Sequence, residues 1–144
     1  LKKRIAATRE TAALINRLGL LYARYGKFDQ AAAELEKLTG KSPFVPALVN
    51  LGNIYFLKGD YVRALNYYSQ AARQQPTDPG ILISLARAQF ELQRYDEARV
   101  SYRKAESEDA GLATRFSYIV AENVSTARAS AQDSKGVMVW NDPE

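Results

Sequence analysis

Apolar residues in this chain fall at helical spacing, in short stretches separated by turn signals. Between Val45 and Asp78, Leu48, Leu51 and Tyr55 stand at i, i+3 and i+7, one stripe of a helix. Gly52 lies within that stripe, where a missing side chain lets a second helix approach closely. Lys58-Gly59-Asp60 closes this helix, with Gly59 suited to the left-handed cap. Tyr61 opens a second helix whose stripe is Ala64, Tyr68 and Ala71. Proline cannot continue a helix, so Gln75-Pro76-Thr77-Asp78-Pro79 stops this one. Asp78 and Pro79 then suit the cap and first position of the next. The pattern predicts two helices packed small against large.

The same pattern occurs three times. Gly26-Lys27-Phe28-Asp29-Gln30-Ala31 returns as Gly59-Asp60-Tyr61-Val62-Arg63-Ala64 and as Gln93-Arg94-Tyr95-Asp96-Glu97-Ala98. The terminal alanines are 33 and then 34 residues apart. Gly19, Gly52 and Ala86 precede them at constant offset, and Leu38, Ala71 and Ala105 follow likewise. The first unit reads Ile15, Leu18, Gly19 and Tyr22, then Phe28, Ala31, Leu35, Leu38 and Pro43. The third reads Leu82, Leu85 and Ala86, then Tyr95, Ala98, Tyr102 and Ala105. A period of this length marks a stack of helix–turn–helix units.

These positions match, one for one, those of the tetratricopeptide repeat, and residues 12–112 resemble that family. The resemblance implies an all-α fold, a right-handed α-solenoid of stacked antiparallel helix pairs. The expected organisation is a single domain over 1–131 and a C-terminal tail over 132–144. Within the domain, residues 1–11 extend the first helix backward. The repeats span 12–44, 45–78 and 79–112, and a capping helix spans 113–131. Some positions depart from the pattern. Leu38 stands where alanine is usual. Gln89 stands where an aromatic is usual, with Phe90 one place on. Ala110-Gly111 replaces proline, so the sixth helix is expected to stop at Gly111.

The capping helix is read from Leu112, Phe116, Ile119, Val120, Asn123, Val124 and Ala127, at helical spacing with one apolar face that covers the end of the stack. Beyond it, Val137-Met138-Val139-Trp140 is an apolar run holding the single tryptophan, poorly suited to a free tail. Two placements are open: against the capping helix, or in a groove of this chain or of a neighbour, like an extended ligand.

Composition narrows the function. Cysteine and histidine are both absent, which removes disulfides, thiolate metal sites, the commonest general base and the best nucleophile. Ser101-Tyr102-Arg103-Lys104 fits S-x-x-K only formally, since Tyr102 is a packing position. No phosphate-binding glycine loop is present, and no cofactor or metal is implied. The chain is therefore read as non-enzymatic. Its net charge is +4, concentrated as +3 in residues 1–11, and most of the nine tyrosines fall on packing positions, so nucleic-acid binding is not expected. No stretch is apolar for long enough to insert in a membrane. The compartment stays open between the cytoplasm and a bacterial periplasm.

In this family the first helix of each unit lines the concave surface, where extended or helical peptides bind. The resemblance therefore implies a groove lined by Asn16, Arg17, Leu20 and Arg24, by Val49, Asn50, Asn53 and Phe56, and by Ile83, Arg87 and Phe90. Asparagine both donates and accepts, so it suits a peptide backbone. The three arginines suit carboxylates. The clamp by which one subfamily binds chaperone C-termini is matched only at Asn50; Asn16, Leu20, Gly80 and Ser84 occupy its other positions. The expected role is a scaffold or adaptor that holds a peptide or protein segment, with a structural module that self-associates through the capping helix and C-terminal tail as the alternative. Alanine at both Asn50 and Asn53 is expected to weaken capture while hardly changing thermal stability.

Overall fold

The computed structural model describes residues 2–143, leaving aside the side chains at positions 2 and 5–7. Positions 1 and 144, the outer limits of the expected domain and tail, lie outside it. Six helices form three antiparallel pairs: α1 (Lys2–Arg24) with α2 (Phe28–Glu36), α3 (Val45–Leu57) with α4 (Tyr61–Gln74), and α5 (Pro79–Glu91) with α6 (Tyr95–Glu108). Each pair packs on the next, giving an all-α solenoid. Among the described residues there is no strand.

Local chemistry sets the boundaries. Gly26 and Gly59 take positive φ (72° and 79°) at the two hairpin turns, and Gln93 takes φ 63° at the third, where no glycine stands. The carboxylates of Asp60 and Asp78 accept from the backbone N–H of Arg63 and Ile81, capping α4 and α5.

Small residues set the hairpin spacing. A Cβ built on Gly19 would lie 2.6 Å from Leu35 Cγ, and one built on Gly52 would lie 2.4 Å from Tyr68 Cε1. Both partners stand sixteen residues on. Tyr102 stands at the same offset from Ala86, and both are buried in the core of the third unit. Phe56 packs edge-on against Tyr61, and Phe90 repeats that contact with Tyr95. Phe90 is thus the structural counterpart of Phe56. Gln89, the counterpart of Tyr55, instead accepts from the Ser101 hydroxyl at 2.8 Å.

The end of the stack differs from the single helix expected over 113–131. The sixth helix ends at Glu108, short of Gly111. Asp109 is extended (φ −151°, ψ 91°), and its carboxylate caps a new five-residue helix, α7 (Ala110–Thr114). A 3-10 turn (Ser117–Val120) follows, and then α8 (Val124–Ser134), which Asn123 caps through Thr126 N. Asp109 thus separates α7 from α6 and Asn123 starts α8 afresh, so three short pieces take the place of one helix. The apolar face survives the breaks: Ala113, Phe116, Ile119, Ala127 and Ala131 all close over the third unit. Arg128 locks α8 down, donating to the Tyr95 hydroxyl at 2.7 Å and lying 3.5 Å from the Glu91 carboxylate.

The opposite end is bare. Leu14, Leu18 and Leu21 on α1 are 64%, 38% and 47% exposed, whereas Ala47, Leu51 and Ile54, one period on, are fully buried. Those three belong to a core to which unit one contributes Ala31, Ala32 and Leu35; among the described residues nothing plays that part for α1. This explains why Leu18, read from the sequence as a stripe residue, faces outward.

Candidate functional site: the inner face and the segment seated on it

The first helices of the three pairs, α1, α3 and α5, bring Asn16, Asn50, Asn53 and Arg87 to one face. All four are buried, at no more than 2% exposure. They are covered by this chain's own residues 137–142, which carry neither helix nor turn and cross the face from the third unit back to the first.

The contacts have a period of two. Arg87 donates to the carbonyl of Val137 (2.5 Å) and also to that of Ser134 (2.8 Å), the last residue of α8. The Asn53 amide donates to the carbonyl of Val139 (3.1 Å). The amides of Asn16 (3.0 Å) and Asn50 (2.8 Å) both donate to the carbonyl of Asn141. In return the Asn141 N–H donates to Asn50 Oδ1 (2.9 Å). Carbonyls of alternate residues thus point into the face, as an extended chain requires. At the far end Arg17 Nε pairs with the Asp142 carboxylate at 3.2 Å, half-exposed on both sides.

The polar residues are themselves held from behind. Asn50 also donates to Asn16 Oδ1 (2.9 Å), and the buried Tyr68 hydroxyl donates to Asn53 Oδ1 (2.5 Å). Burial raises the Tyr68 pKa, so this hydroxyl stays a donor. The Arg87 guanidinium lies over the rings of Phe56 (4.8 Å) and Phe116 (4.7 Å), with no carboxylate in salt-bridge range among the described residues. The fork therefore serves main-chain carbonyls here, not a carboxylate.

Side chains of the seated segment lock in between these bonds. Val139 packs on the core of the third unit, its Cγ1 only 3.2 Å from where a Gly80 Cβ would stand. Met138 packs against the core shared by the first two units. Trp140 and Asp142 border a shallow hollow on α1 with Leu20, Ala23 and Arg24.

The residues named from the sequence therefore fall into three groups. Asn16, Arg17, Asn50, Asn53 and Arg87 bond directly to residues 134–142. Leu20 and Arg24 border the hollow beside Trp140. Val49, Phe56, Ile83 and Phe90 are core: Val49 packs with Ala71 and Ile81, Ile83 with Ala86 and Phe116, and both phenylalanines are at most 3% exposed. Sequence reasoning missed Gly80, whose absent side chain seats Val139. Its only signal was a glycine in the first turn of a helix, where nothing in the turn calls for one.

Comparison with known proteins agrees with this architecture. Sequence profiles of the tetratricopeptide repeat match residues 16–79 and 55–121, together well over half of the chain. The chain belongs to the tetratricopeptide repeat family. Its fold resembles the first TPR domain of the human RPAP3 protein, solved by NMR (TM-score 0.69, 23% identity, 85% of this chain and 96% of that one). It also resembles MamA AMB-1 (TM-score 0.62, 23% identity, 87% of this chain and 73% of that one). Tetratricopeptide repeats are, as a class, protein–protein interaction modules. Among the described residues no helix is long and apolar enough to cross a membrane.

Proposed function

We propose that this repeat domain is a non-catalytic adaptor that holds an extended segment of a partner protein on the face formed by α1, α3 and α5. One observation carries the reading: side chains from all three units already hold the main chain of an extended segment there. Main-chain recognition supplies affinity, and pockets for alternate side chains supply selectivity. The groove residues are fixed in advance by Tyr68, Phe56 and Phe116, which limits the ordering cost of binding.

A random-peptide selection tests this. The bait is the full chain carrying Asn141→Pro, which removes the N–H given to Asn50 and so loosens the seated segment. Selected peptides should bind this bait and lose binding when Gly80→Leu is added to fill the Val139 seat. Peptides that bind both baits equally would place recognition elsewhere.

Self-association is a second reading, favoured by the bare stripe Leu14, Leu18 and Leu21 on α1. Light scattering would show a mass that rises with concentration and returns to the monomer in a Leu14→Glu/Leu21→Glu variant. A constant monomer mass would rule this reading out.

A further inference from the structure

We infer that the groove reads a defined six-residue pattern, presented by a separate partner protein, and that residues 137–142 are an in-chain copy of it. The inference rests on the groove reading above and adds the partner's chemistry. The pattern is a long flexible apolar residue, a β-branched residue and an aromatic residue at the second to fourth positions and an acidic residue at the sixth, as Met138, Val139, Trp140 and Asp142 supply, with the first and fifth positions entering through their main chain.

Two kinds of contact give this content. The main-chain contacts fix register. Because Asn16, Asn50, Asn53 and Arg87 are buried, an occupant that leaves them unpaired forfeits their hydrogen bonds without restoring their hydration. Any occupant must therefore offer carbonyls at alternate residues along the same path.

The side-chain contacts fix identity within that register. The third position packs its branched side chain over Gly80, where a Cβ would stand only 3.2 Å from Val139 Cγ1, and against the core of the third unit. The second position joins the apolar core of the first two units, which suits the unbranched, adaptable methionine. The fourth lies beside Leu20, Ala23 and the Arg24 stem, a surface for an aromatic ring. The fifth is held through its main chain, its carbonyl by two asparagines and its N–H by one, and so adds to the register rather than to identity. The sixth meets Arg17. A partner segment with this pattern competes with the in-chain copy, which the chain holds at a high effective concentration.

A labelled synthetic peptide of residues 135–143 tests the inference, titrated by fluorescence anisotropy into three full-length proteins. These are the unaltered chain, the Val139→Asp variant and the Asn141→Pro variant. The second release variant touches no core residue and serves if the first fails to fold by circular dichroism. The peptide should bind a released variant at least about tenfold more tightly than the unaltered chain. Binding should vanish when Gly80→Leu is added, and a peptide carrying Val139→Asp should not bind at all.

A folded, released variant that ignores the peptide would overturn the pattern. If the selection above still returns groove binders of another sequence, the pattern alone fails and the adaptor reading stands. If it returns none, both fail. A mass that doubles with concentration in the unaltered chain, but not in the release variants, would make the occupant a second copy and overturn a separate partner.

Discussion

The Tyr68 hydroxyl donates to Asn53 Oδ1 at 2.5 Å, and the other end of the same carboxamide donates to the Val139 carbonyl. One side chain thus joins the core of the second unit to the seated segment. This revises the expectation that alanine at Asn50 and Asn53 hardly alters stability. Asn53→Ala should destabilise the chain by about 1–3 kcal/mol, the cost of leaving a buried hydroxyl unpaired. Adding Tyr68→Phe should recover part of that loss. Urea unfolding of the two variants and the double mutant measures the coupling, and strict additivity would contradict a shared bond.

Gly52→Ala tests the hairpin spacing. Alanine gains about 1 kcal/mol of helix propensity over glycine. Here its Cβ would collide with the Tyr68 ring at 2.4 Å, so overpacking should outweigh that gain and leave a net loss of roughly 1–2 kcal/mol. A raised melting temperature would mean that the α3–α4 crossing yields easily.

Arg87 should not tolerate lysine. A single ammonium cannot reproduce a fork over two carbonyls, and it would stay buried against two rings. Methionine keeps a stem that packs against Phe56 and Phe116 and carries no charge. Arg87→Lys should therefore be less stable than Arg87→Met by about 1–3 kcal/mol. Both should loosen residues 137–142, seen as a red shift in Trp140 emission. Equal stability would show that the buried charge is well compensated in either form.

Stability should fall in alkali. Burial raises the pKa of Tyr68 and of Tyr118, the latter against the lowering influence of Arg87. The unfolded chain ionises these groups near pH 10, while the folded chain keeps them neutral to higher pH. Between the two pKa values the folded state binds more protons, so stability, full below about pH 10, is lost as pH rises beyond it. Each such group contributes a slope of up to about 1.4 kcal/mol per pH unit. Urea midpoints from pH 8.5 to 11.5 would show the fall, and Tyr118→Phe should make it shallower.

The repeats were legible because helix packing imposes the same demand three times. Gly19, Gly52 and Ala86 face Leu35, Tyr68 and Tyr102 at one offset, so each confirms the others. The polar lining was legible too, since Asn16, Asn50, Asn53 and Arg87 are polar residues on helices otherwise rich in apolar ones. Depth was harder. Val49 and Ile83 were assigned to the open face, yet neighbouring units bury them, a contact that depends on the twist between units. The breaks at Asp109 and Asn123 carried ordinary cap signals that the continuous apolar face of Phe116, Ile119 and Ala127 masked. The path of residues 137–142 has no period to betray it, and only its misplaced hydrophobicity hinted that it docks.

That path also sets how the chain responds to force. The seated segment runs back along the stack, with Arg17, Asn16 with Asn50, Asn53 and Arg87 gripping it in turn from residue 142 inward. Tension applied at residue 143 loads the Arg17 ion pair first and the Arg87 fork last. The segment should therefore peel off one grip at a time, at low force over a long extension, as a zipper opens. Only when Arg87 lets go of Val137 and Ser134 does the load reach α8 and the cap beneath it.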